Sequence, residues 1–132
     1  MAAAGFQSVL AFFYRPQGRI GRAEYGLGLA FIYAINFAIL SFVVLHTEGE
    51  PGAIVLASIA AIPLTIAFLV IVVKRCHDLG LPGTFVLLMF VPIAGILWIV
   101  ALLFIPGTAG PNLYGPPPAF RRDNVGQTNH DG

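Results

Sequence analysis

The sequence predicts an all-α integral membrane protein, a small bundle of three hydrophobic blocks preceded by a short helix. Three observations carry this. Residues 27–45, 53–73 and 84–105 contain no Asp, Glu, Lys or Arg. At 1.5 Å per residue, blocks of about 20 residues match a hydrocarbon layer about 30 Å thick. Of 132 residues, 58% are hydrophobic and 10% charged, where a soluble domain carries about a quarter charged. A soluble fold would have to wrap three all-round apolar helices in too little polar chain.

Residues 6–14 form the first element. Phe6, Val9, Leu10 and Phe13 recur at helical spacing, which predicts a helix lying in the membrane interface or packed on the bundle end. No basic residue precedes this stretch, so residues 1–13 do not read as a secretory signal. Residues 15–25 are a polar hinge into the first block, which holds the uncharged polar residues Asn36 and Ser41. Loop 46–52 carries Glu48 and Glu50 and no lysine or arginine. The second block includes Pro63, expected to kink the helix or free a carbonyl. Its alanines, Ala57, Ala60, Ala61 and Ala67, permit close helix contact. Gly80 and Pro82 stop that helix in the usual order.

Pro92-Ile93-Ala94-Gly95 interrupts the third block near its centre. Length favours one kinked span over 84–105. The alternative is two half-helices, 84–91 and 96–105, forming a re-entrant hairpin, each half too short to cross alone. Charge favours that alternative. Arg15, Arg19 and Arg22 precede the first block, Lys74 and Arg75 follow the second, and the intervening loop has no basic residue. The positive-inside rule puts the N-terminus and 74–83 in the cytoplasm. Three full spans would export Arg121 and Arg122, whereas a hairpin would keep them inside. The side on which the tail lies stays open. Residues 106–118 are too rich in Pro and Gly for helix or strand, and 119–132 read as a polar, disordered tail.

Three clusters in series resemble the DUF805 family of bacterial inner-membrane proteins, over roughly residues 13–118. They are Gly18-Arg19-Ile20-Gly21-Arg22-Ala23-Glu24-Tyr25, Lys74-Arg75-Cys76-His77-Asp78-Leu79-Gly80, and Pro106-Gly107-Thr108-Ala109-Gly110-Pro111-Asn112-Leu113-Tyr114-Gly115-Pro116. The resemblance implies a protein of the bacterial cytoplasmic (inner) membrane and no particular reaction. Gly26 stands where that family often has an aromatic residue, and Pro82-Gly83-Thr84 where Ser-Gly-Trp is common. Both changes remove an interfacial anchor.

The candidate site is polar. If the first two blocks are antiparallel neighbours, Arg19, Arg22 and Glu24 meet Arg75, His77 and Asp78 at one membrane face. Asp78 and Glu24 are then expected to pair with Arg19, Arg22 or Arg75. A tail on that face would add Asn112 and Tyr114. The cluster either locks the helix ends or binds an anionic lipid headgroup or a protein partner, since the arginine fork suits phosphate.

Adjacent residues on a helix point about 100° apart, so Cys76, His77 and Asp78 do not converge on a metal or a reacting atom. No enzyme, metal site or cofactor is expected, and net charge +1 with no basic stripe argues against nucleic acid. A small oligomeric transporter or channel is the competing class. It would need a homo-oligomer, because three helices enclose no pore and no charge lies inside the blocks.

Overall fold

The computed structural model describes residues 2–118. The expected tail, 119–132, with Arg121 and Arg122, lies outside the described residues. Among the described residues four α-helices form: α1 (Ala2–Tyr14), α2 (Arg22–His46), α3 (Pro51–Asp78) and α4 (Pro92–Phe104), with a 3₁₀ segment over Gly83–Phe90 between α3 and α4. Helices α2 and α3 are long and apolar enough to cross a membrane. They are also bare on most of their surface: Phe37 is 73% exposed and Leu45 74%. A soluble protein would bury such side chains, so the solvent they fit is lipid.

Capping explains the helix boundaries. At the start of α2, the Glu24 Oε2 accepts the Gly21 backbone N–H at 2.7 Å, which supplies the carboxylate half of a capping box. At the start of α3, Pro51 follows Glu50, whose side chain accepts from the Ala53 N–H. Pro63 stays within α3, which continues through it, and the Tyr14 hydroxyl donates to the Pro63 carbonyl at 3.2 Å. Gly80, at φ +78°, ends α3 in a Schellman turn. Its N–H bonds the His77 carbonyl while the Leu81 N–H bonds that of Cys76, both at 3.0 Å. Gly80 therefore acts as the sequence suggests.

The third block breaks one step earlier than its Pro-Ile-Ala-Gly run suggests. Val91 is the extended residue, and Pro92 opens α4 at its first turn, a position that needs no N–H. Residues 92–95 are helical, not the break. Gly95 instead permits a close crossing: a Cβ there would lie 2.6 Å from the Met89 carbonyl oxygen.

The block starts and finishes beside the same end of α3. At its start, a Cβ on Gly83 would lie 3.1 Å from Val73 and 3.5 Å from His77. At its finish, the Leu102 carbonyl accepts from Arg75 and the Thr108 N–H bonds the Asp78 carbonyl. The core follows this geometry. Tyr25, Leu29, Ile71, Val72, Cys76 and Leu102 are buried in one cluster near that end. Helix α1 docks by its last turn, with Phe12 against Gly28 and Phe13 5.5 Å from the ring of Phe31, while residues 3–10 are exposed.

Candidate functional site

The C-termini of α3 and α4 meet the N-terminus of α2 at Asp78, and the C-terminus of α1 ends against Lys74, four residues earlier on α3. Each helix C-terminus leaves unpaired carbonyls and carries roughly half a negative charge. Three gathered together require donors and cations, and the basic residues provide them.

Helix α4 ends on arginine. Arg75 Nε donates to Leu102 O at 2.9 Å, and Arg22 Nη1 to Phe104 O at 3.3 Å. Helix α1 ends on lysine. Lys74 Nζ donates to Phe12 O at 3.0 Å and lies 5.0 Å from the centre of the Phe12 ring. Helix α3 ends on the Pro/Gly-rich strap. The Thr108 N–H donates to Asp78 O at 2.8 Å, and Asn112 Nδ2 to His77 O at 2.9 Å.

Asp78 joins the two arginines. Its Oδ1 accepts from Arg19 Nε at 3.0 Å, and its Oδ2 from Arg75 Nη1. All three side chains are shielded from solvent. The remaining donors of Arg19 reach Thr108 O at 2.5 Å, Gly110 O at 2.8 Å and Gly115 O at 3.2 Å. Those of Arg75 reach Ile20 O at 3.3 Å and Ile105 O. Burying charges is tolerable only with such saturation.

The glycines of the strap make this possible. A Cβ on Gly107 would overlap the Asp78 carboxylate. Gly115 sits at φ +118°, a conformation that favours glycine. Its carbonyl also closes the Asn112–Gly115 turn, with Asn112 Oδ1 accepting from the Tyr114 N–H at 2.9 Å.

His77 faces away from the carboxylate. Its ring stacks on Tyr114, 4.0 Å between centroids and 5° between planes, and its Nδ1 lies 3.3 Å from Gly18 O. With Pro16, Gln17 and Leu113 these residues line a cleft of 320 Å³. Cys76 points instead into the core. Consecutive residues thus serve three surroundings, as the helical angle requires.

The structure brings together Arg19, Arg75, Asp78, His77, Asn112 and Tyr114. Arg22 lies at the rim, exposed. Glu24 stands apart in role: its carboxylate caps α2 by accepting the Gly21 N–H, while Arg19 and Arg75 pair with Asp78. Lys74 and the carbonyls of Thr108, Gly110 and Gly115 also belong to the assembly, beyond the residues the sequence points to. Glycines spaced through residues 107–115 were the available signal, since bare backbone carbonyls are what a buried guanidinium needs.

All three sequence clusters thus enter one assembly. The model of a family described as a protein of unknown function, DUF805, matches residues 13–116. The chain belongs to the DUF805 family. Its relatives include the inner membrane protein YhaI of Escherichia coli K12 and that of E. coli O157:H7. Each is 34% identical over 117 residues, covering 87% of this chain and 95% of the relative. No solved structure matches. The chain is accordingly an integral membrane protein, and the DUF805 match spans the whole Arg19–Asp78–Arg75 assembly while leaving out most of α1.

Proposed function

We propose that this DUF805 protein is a non-catalytic, multi-pass protein of the bacterial inner membrane. Two spans and a re-entrant hairpin hold one ordered face toward the cytoplasm, and the rim of that face binds an anionic lipid headgroup. The observation that carries the reading is the return of the third block to the Asp78 end of α3, where Arg75 and Asp78 hold residues 102–108. Further support comes from length. Helix α4 has 13 residues, about 20 Å at 1.5 Å each, which falls short of a 30 Å hydrocarbon layer. With α2 and α3 as the only full spans among the described residues, the N-terminus, residues 74–83 and the strap share a side. Their basic residues make that side cytoplasmic.

Arg19 and Arg75 are structural in this reading. Six backbone carbonyls (Ile20, Leu102, Ile105, Thr108, Gly110 and Gly115) and one carboxylate take their donors. A phosphate is better served by Arg15 and Arg22, both exposed, because a guanidinium with outward donors matches phosphate oxygens pairwise. Wild-type protein purified from membranes containing phosphatidylglycerol should retain that lipid in native mass spectrometry. The double variant Arg15→Gln, Arg22→Gln should lose most of it while staying folded. Undiminished lipid in the double variant would end the headgroup reading and leave the assembly a purely structural one.

A further inference from the structure

The α4 hairpin covers only part of one face of the α2–α3 pair. On α2 that face begins at Gly26, where a Cβ would meet Leu103 of α4 at 3.4 Å. It continues at helical spacing through Tyr33, Phe37 and Leu40, beyond the hairpin, where the three side chains are 56%, 73% and 62% exposed. Across from them lie Ile54, Ser58 and Ala61 of α3, so that the two helices frame a groove of 490 Å³.

Asn36 lines this groove. It is the middle residue of the apolar block 27–45 and so lies near the centre of the hydrocarbon layer. Its Nδ2 donates to Ile32 O at 3.0 Å. Among the described residues its Oδ1 accepts no hydrogen bond. An amide facing acyl chains leaves that acceptor without a partner, because lipid tails have no donors to offer. A second copy of the same face does. Two chains of equal orientation related by a two-fold axis along the membrane normal would set Asn36 against Asn36, a reciprocal pair in which each amide donates and accepts. Ala61 and Ser58 leave room for the approach.

We infer that the face formed by Tyr33, Asn36, Phe37, Leu40, Ser58 and Ala61 docks a second copy of this chain. It continues the surface that α4 already covers within one chain, and its one mid-membrane amide is self-complementary. This does not depend on the lipid headgroup reading.

The test is oxidative cross-linking of the full chain in phosphatidylethanolamine/phosphatidylglycerol vesicles. Cys76 is fully buried and can stay. Phe37→Cys and Leu40→Cys should each give disulfide-linked dimers. Phe42→Cys, which lines the groove on the other flank of the pair, should not. Adding Asn36→Leu should lower the dimer association constant about three- to tenfold, the range spanned by one or two interhelical hydrogen bonds. Asn36→Gln should restore most of it. Equal linking on both flanks, or linking indifferent to Asn36→Leu, would overturn the proposal. No linking from either Phe37→Cys or Leu40→Cys would also overturn it, leaving the groove to lipid or to an unrelated protein.

Discussion

The two ends of the α2–α3 pair are built on opposite rules. At the Asp78 end, α1, the hairpin and the strap crowd round the pair, and buried charges are saturated by backbone carbonyls. At the far end two helices stand alone among the described residues, joined by the loop holding Glu48 and Glu50, with grooves of 460 and 490 Å³ on either flank. Every buried residue of α3 lies from Ala67 onward. The difference teaches where order comes from in a small membrane protein. Apolar side chains gain nothing from leaving lipid for one another, so hydrogen bonds and close packing must hold the fold. Here they are concentrated at one end.

Substitutions should therefore cost most near Asp78 and fade toward the far end. The largest effect is expected from Asp78→Ala, which leaves two buried guanidinium groups facing each other. A loss of about 3–5 kcal/mol is the scale for removing one partner from a buried charge assembly, read as a collapse of thermal stability in detergent. Leu102→Ala, a cavity at a fully buried position, should cost about 2–5 kcal/mol. Leu40→Ala on the bare face, compared in monomeric protein, should fall within about 0.5 kcal/mol. If the two leucines cost the same, the contrast between the ends is wrong.

Gly107→Ala drives a methyl group into the Asp78 carboxylate and should cost about 1–3 kcal/mol. Gly110→Ala, which meets nothing within 4 Å, should be nearly silent. Smaller again is Lys74→Met, which removes the cation from the C-terminus of α1. About 1 kcal/mol is expected, read as faster amide hydrogen exchange in α1 with α3 unchanged. Equal acceleration in both helices would show that Lys74 supports the bundle rather than the docking of α1.

Much of this architecture was legible in composition, because a run of 19 or more residues without charge has few folds open to it. The meeting of Arg19, Arg75 and Asp78 was legible too, since antiparallel spans bring their flanks together. The finer choices were not. Glu24 looked like a partner for arginine because Gly21 hides the capping box, which is usually announced by Ser or Thr. The Pro-Ile-Ala-Gly run points to a break at residues 92–95, yet Pro92 fits the first turn of a helix and the chain turns at Val91. The role of Lys74 leaves no trace in the sequence because it exists only once α1 packs beside it. The Pro/Gly density of residues 106–118 excludes helix and strand but does not show that the Thr108 N–H and Asn112 Nδ2 cap α3 while the strap's carbonyls cradle Arg19.

In the proposed topology the third block turns back, so that strap and N-terminus share one side. Paired reporters fused after Pro118, one active only in the cytoplasm and one only in the periplasm, test it directly. In that topology the cytoplasmic reporter is active and the periplasmic one silent. The reverse pattern would mean that the block crosses the membrane, and would separate the strap from Arg19, Arg75 and Asp78.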